Sequence, residues 1–464
     1  MQQSLFRFKR FIPWWLSGVS LFIIAQSFSQ GQLYFEVLQS SGWSGMWIFW
    51  SSLLGSFIIP ILFAPLWNKL QLSHDNLFYL ERFPSVGGKI LFHFRRYYVG
   101  VLVTGFLMAF GLITFAKLLT DLGFLDYTTA LIFITTSLAV IILINSLDFQ
   151  VKWDLGVFVL YLIFLLLIAI FVWIPLLPKH PETSFADLFP NQSAGWQHWL
   201  FYIGFQWWST NQFDGGSVET SRFTGVDRQH AARKSAIVAA CANAIATVLV
   251  AITSSLLANQ KAPSFWVGIF NLVPEEIHTL LMYVAVGLMT VQVLAYSNWG
   301  AAMVINDPQA SIWKSRTILL VLLRIASIIA FQSQKLLPLS HFVFAISAGV
   351  APFYILRWIF PSIGPWTQII VMVTSLLGTL LYEYIFPFNF QVFQLNFEES
   401  RTLIVGTITI SVGLISWSIF PSGAPTPFWL SIQPTQKEWR NKLMQSLLLG
   451  VILVFAILGI LSLL

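Results

Sequence analysis

Two short polar runs stand inside stretches that otherwise belong in lipid. "IIAQSFSQGQLYF", residues 23–35, places Gln26, Ser27, Ser29, Gln30 and Gln32 in an apolar span. "QWWSTNQFDGG", residues 206–216, follows an aromatic approach with Asn211, Gln212, Asp214 and two glycines. Amides and hydroxyls at such positions orient a polar solute, and the faces of Trp207 and Trp208 can stack on sugars, rings or cations. Asp214, a carboxylate in low dielectric, is a candidate proton carrier. Arg324 lies midway along "RTILLVLLRIASIIAF". Charges inside a membrane need a partner, and Asp214 is the partner expected for Arg324. The plainer alternative is a tryptophan pair that merely packs, a cytoplasmic polar loop with a hydrated Asp214, and an Arg324 paired elsewhere.

Other chemistries lack their residues. Cys241 is the single cysteine, so no intrachain disulfide forms, and no Cys or His spacing suggests a metal site or a haem. "VGGKI" at 86–90 lacks the leading Gly and the following Ser or Thr of a phosphate-binding loop. No nucleophile–base pair stands out, so neither an enzyme nor a cofactor is expected. His230 reads as solvated. His341 begins a span with no ligand set around it.

The elements that must position the polar runs are membrane helices. Of 464 residues, 57% are hydrophobic and 9% charged, with mean hydropathy +0.75; a soluble domain carries about 25% charged residues. Thirteen stretches are long enough to cross a bilayer: 14–38, 45–67, 93–119, 127–147, 154–177, 196–218, 233–258, 277–305, 316–334, 339–360, 364–387, 401–420 and 443–463. The first is too long and continuous for a cleaved signal, although "AQS" at 25–27 mimics a cleavage site, and reads as a retained helix. Nineteen of the 25 Lys and Arg fall on one side if the N-terminus is cytoplasmic. The positive-inside rule then places the C-terminus outside. The net charge of +6 reports that topology and an anionic lipid face, with no nucleic-acid partner. The loop 178–195 is too short to fold alone, and 421–442 reads as a connector.

Irregular backbone at membrane depth is tolerated only where it lines a cavity or is buried in protein. The interrupted spans are the first and the sixth. Five helices apart, they are corresponding members of two halves with opposite orientation, the arrangement by which inverted-repeat transporters build a binding site.

Several stretches, in order, carry a resemblance: "PWWLSGVS" (13–20), "GWSGMWIFWSSLLGSF" (42–57), "LFYLERF" (77–83), "QWWSTNQFDGG" (206–216), "RFTGVDRQHAARKSA" (222–236) and "LRWIFPSIGPWTQ" (356–368). Over roughly residues 13 to 440 the chain resembles the sodium:solute symporter family, especially a tryptophan-rich bacterial branch. The resemblance implies an all-α polytopic protein of the LeuT type, in the inner membrane. Its parts would be a cytoplasmic segment 1–13, a first five-helix repeat 14–177, an external loop 178–195, a second repeat 196–360 and peripheral helices 361–464. It implies a secondary transporter of a small polar or zwitterionic solute. Ala25, Ser27 and Gln30 would face the solute from the first helix, and Trp207, Trp208 and Asn211 from the sixth.

The family's sodium site joins backbone carbonyls of the first helix, here Ile23 and Gln26, to a hydroxyl pair on the eighth. Counting back from Asp307, that pair falls on Val291 and Gln292, or with a one-residue slip on Thr290 and Val291. Sodium is therefore the coupling ion by resemblance, with Thr290 and Gln292 as the residues left to rebuild its site. The branch's usual Asp in the first break is replaced by "SFSQGQL", and the family's extra N-terminal helix is missing. A proton-coupled or uncoupled carrier, and a transport-dead relative acting as sensor or partner subunit, stand as alternatives. Asp154 matches a family Asp and is expected to tie down a helix N-terminus.

Overall fold

A computed structural model describes residues 6, 8, 11–72, 74–177, 185–189, 195–206, 214–305, 311–386, 391–392, 395–422, 426–427, 430 and 434–462. The described residues are helical, as lipid-facing backbone requires. The first membrane pass is split into α1a (Trp14–Ala25) and α1b (Phe28–Gly45). α2 runs as Trp47–Leu53 and Ala64–Leu70, with a π-helical turn Ile59–Phe63 at Pro60. Then come α3 (Val86–Asp121), α4 (Tyr127–Ile144) and α5 (Leu147–Leu176). α6 begins as Gly195–Phe201 and continues as a π turn, Tyr202–Gln206. α7 (Gln229–Asn259), α8 (Glu275–Ile305), α9 (Ile312–Ser333) and α10 (Leu336–Ile359) follow, and after them α11 (Pro365–Ile385), α12 (Phe397–Ile419) and α13 (Lys437–Leu461). Ten of these are long and apolar enough to span a membrane whole. With the broken α1 and α2 and the start of α6, the thirteen expected stretches each meet a helix. The 421–442 connector is shorter than expected, because helix resumes at Gln436.

Polar caps set several starts. Ser146 accepts from the Phe149 amide at 3.2 Å, and Asn396 with Glu399 forms a reciprocal capping box. α3, α4, α8 and α9 pack against one another, while α7 lies along α1a, α1b and α2. α3 is 72% buried over its most apolar window and α4 only 28%, so α3 is central and α4 faces lipid with Ile132, Phe133 and Val140.

The break in α1 sits in this interior. Gln26 (φ −78°, ψ 52°) and Ser27 (φ −55°, ψ 147°) leave helical geometry, which frees the last carbonyls of α1a from intrahelical donors. Close packing holds the second half. A side chain at Gly31 would meet the Phe265 ring at 2.5 Å, so only glycine lets α1b approach the short helix Phe265–Leu272.

Candidate solute cavity and its buried charges

The α1 break opens onto a cavity of about 390 Å³. Ala25, Ser27 and Gln30 are in its wall, joined by Tyr34 from α1b, Asn243 and Thr247 from α7, and Tyr296 from α8. A second space of about 290 Å³ shares Ala25, Ser27, Gln30 and Tyr34 and extends toward α10. Gln30 Nε2 donates to the Tyr34 hydroxyl at 2.7 Å, but its Oε1 has no partner among the described residues. A buried acceptor left so costs about 1–3 kcal/mol, a penalty that a solute hydroxyl or N–H would remove. Trp207, Trp208 and Asn211 lie outside the described residues.

Gln26 behaves differently from its neighbours. Its amide is spent inside the protein: Nε2 donates to Asn243 Oδ1 at 2.5 Å and Oε1 accepts from the Tyr161 hydroxyl at 2.9 Å. That brace ties the break to α7 and α5. Tyr161 and Asn243 were not singled out in the sequence, since nothing local marks a tyrosine or asparagine as facing another helix.

The hydroxyl half of the expected sodium site is incomplete. The brace just described uses only the Gln26 side chain and leaves the Ile23 and Gln26 backbone carbonyls at the break out of it. The Thr290 hydroxyl donates to Val286 O of its own helix at 2.6 Å, and Val291 offers no oxygen from its side chain. Gln292 does reach the break, but with its nitrogen: Nε2 donates to Leu107 O at 3.1 Å and to Ser29 Oγ at 3.4 Å. Gln292 thus turns an N–H donor toward the α1 break, while its Oε1 is buried without a hydrogen-bond partner among the described residues.

The expected pairing of Asp214 with Arg324 is corrected. Asp214 is neither at a hydrated mouth nor near α9: it is fully buried and ion-paired with Arg357 of α10. Trp358 Nε1 donates to Asp214 Oδ2 at 2.8 Å, the Gly216 amide donates to Oδ1 at 3.0 Å, and Trp67 Nε1 donates to its backbone carbonyl. A carboxylate so held anchors the segment 214–216 to α10. Arg324 is exposed on the outer stripe of α9 that also shows Val321, Ile328 and Phe331. Beside Asp214, Arg95 of α3 donates to Asp75 Oδ2 and to the Tyr354 hydroxyl, each at 2.8 Å. The Arg357 guanidinium lies 4.7 Å from the Tyr79 and Tyr354 ring centroids. Arg95 and Arg357, counted in the sequence among the basic residues of the cytoplasmic side, are thus buried in ion pairs with aromatic cover.

Asp154 is corrected likewise. Ser146 caps α5, and Asp154, about two turns further in, accepts from Ser20 Oγ of α1a at 2.5 Å and stands 3.7 Å from Arg222 Nη2. Arg222, on the short helix Thr220–Thr224, also donates from Nε to Ser20 Oγ at 3.1 Å and from Nη1 to Ser221 Oγ at 2.8 Å. Ser217, Val218 and Glu219, just before it, form part of the cavity wall. The segment 214–222 therefore ties two ion-pair clusters and closes the cavity between them.

The fold has known counterparts. A sodium-coupled sialic acid symporter, solved substrate-bound in an outward-open state, superposes with TM-score 0.63 at 15% identity over 91% of this chain and 94% of that one. A nucleobase-cation-symport-1 family transporter, closed with bromovinylhydantoin bound, gives 0.52 at 12% identity over 95% and 98%. The fold is the LeuT-type transporter fold. No protein-family model matches the sequence, and no curated protein does either. In the LeuT-type fold two five-helix repeats of opposite orientation enclose the centre, where the α1 break lies here.

Proposed function

We propose that the protein is a secondary transporter of a small polar solute, carried by alternating access through the cavity at the α1 break. The observation that carries this reading is the unpaired Gln30 Oε1 in the wall of a space of about 390 Å³, beside a helix interrupted at Gln26 and Ser27. Cavities of about 300–1,000 Å³ with a few fixed polar groups suit small ligands. The likeness in fold to a sodium-coupled sialic acid symporter supports transport as the activity. We assign Ala25, Ser27 and Gln30 to the solute from one side. Trp207, Trp208 and Asn211 are assigned to it from the other, with the repeats at 14–177 and 196–360. Sodium is the ion the resemblance implies; Thr290 bonds its hydroxyl to Val286 O and Gln292 turns its N–H to the break, which supports a different driver, and we do not propose sodium.

The test is uptake by proteoliposomes, with a panel of labelled sugars, amino acids and amines. At least one solute should accumulate above protein-free vesicles, and Gln30→Leu should weaken its half-saturation by about 5- to 150-fold, the equivalent of one lost buried hydrogen bond. Binding without flux for every solute in the panel would replace the transporter with a sensor.

A further inference from the structure

Glu219 is a carboxylate that the sequence reading passed over. It sits between the end of the sixth pass and α7, in the stretch "GGSVETSRF", and its side chain lines the cavity. Oε2 is sealed from solvent and receives no hydrogen bond. Glu219 precedes the short helix Thr220–Thr224 as its N-cap residue, but its side chain makes no capping hydrogen bond. Its surroundings are short of charge. Arg222, three residues on, is the cation that acts on it; its Nε and Nη1 donate to Ser20 and Ser221, and Nη2, without a hydrogen bond, stands 3.7 Å from Asp154. Asp154, from α5, is fully buried and also has one oxygen, Oδ1, without a partner. Tyr296 approaches from α8. α1a contributes only the hydroxyls of Ser17 and Ser20 nearby, α7 lines the cavity with Ala236, Ala239, Ala240, Asn243 and Thr247, and α2 with Ser52, Ser56, Ile59 and Pro60. Two carboxylates thus share one guanidinium in the cavity wall, and the cluster is one positive charge short.

We propose that the Glu219 carboxylate takes up and releases a proton in the wall of the solute cavity, and that this proton is the coupling ion. The missing positive charge is then supplied by the ligand itself: protonated, Glu219 is neutral and Arg222 pairs with Asp154 alone; ionised, it competes with Asp154 for the same guanidinium. The group also stands where solute would lie, so its charge and the solute's presence act on one another. Burial pushes the carboxyl from its ordinary 4.5 up to about 7, against the pull of Arg222. That places the change of charge at neutral pH. The sign follows. A raised value in the fold means ionisation weakens the folded state, so the contribution is complete below 4.5 and lost as pH rises through about 7.

The coupling half of this inference rests on the transport reading, while the proton site does not, and the experiment separates them. In reconstituted membranes without solute, the infrared signal of a protonated carboxyl is followed from about pH 5 to about pH 9. One carboxyl should disappear around neutrality in the natural protein and be missing at every pH in Glu219→Gln. In parallel, the melting temperature of Glu219→Gln should rise relative to the natural protein between about pH 4.5 and 7 and keep a constant offset above. If Glu219→Gln does not fold, the natural protein still decides: no carboxyl losing its proton above about pH 6 overturns the site. The panel solute is then tested under an acid-outside gradient of one unit, which supports about tenfold accumulation for one proton per solute. Accumulation that follows the gradient, and does so only with Glu219 intact, supports coupling. Uptake indifferent to the gradient overturns coupling and leaves the transporter standing. No uptake of any solute removes the transporter and leaves the infrared result to judge the proton site.

Discussion

Asp214 and Arg357 stand 143 positions apart in the chain and bury a full charge each, with Trp358 and Gly216 completing the carboxylate's bonds. A buried ion pair adds little net stability over an apolar pair, but removing one partner strands the other. Arg357→Ala should therefore lower stability by about 3–5 kcal/mol, and Asp214→Asn in the same chain should restore a large part of it. Chemical or thermal unfolding in detergent checks the pair, and equal losses in single and double variants would show that the two charges do not depend on each other. Neither residue's partner is legible from a single sequence, because nothing local to Asp214 points to α10. The basic count misled for a related reason. Arg95, Arg222 and Arg357 count toward the positive-inside side in the sequence, yet each is at most 1% exposed and serves a buried acid. Glu219 did leave a signal: an acid and an arginine three apart, in a short run between two apolar spans.

At the scale of elements, the α1 break was legible because it is local. Gln26, Ser27, Ser29, Gln30 and Gln32 contrast with "LFIIA" before them, and a continuous lipid-exposed helix would leave that polarity unserved. Its supports were not legible, since Tyr161, Asn243 and Gln292 approach from three other helices. Packing beside the break is tight enough to test. Gly31→Ala places a methyl group into the Phe265 ring, which is 2% exposed and has little room to retreat. Overpacking of this kind costs about 1–3 kcal/mol. Phe265→Ala makes space, so the double variant should lose less than the sum of the two single losses. A strictly additive result would mean that α1b and the Phe265–Leu272 helix are further apart than this contact requires. α6 is the converse case: its polar run was as visible as that of α1, and its critical positions 207–213 fall outside the described residues.

For the whole molecule, the question is what biases the alternation between the two faces, and α8 answers part of it. Sodium bridging α1 and α8 would need oxygen ligands from both. Here Thr290 turns its hydroxyl back on Val286, Val291 is apolar, and Gln292 donates its N–H to Leu107 O of α3 and, at 3.4 Å, across the gap to Ser29 of α1b. The amide makes directly the link between α8 and the broken helix that a cation would make through its ligands, so that link persists in any salt. Melting temperatures in sodium, potassium and choline at matched ionic strength should therefore coincide for the natural protein. Gln292→Ser removes the amide and returns a hydroxyl beside the break. With Val291→Ser it recreates the pair, and the double variant should gain a sodium-specific rise; at a hundredfold excess over the dissociation constant the rise corresponds to about 2.7 kcal/mol. A rise in the natural protein instead would mean that Gln292 turns its unpartnered Oε1 to the cation. The driving ion would then be sodium, and Glu219 would lose its claim to that role.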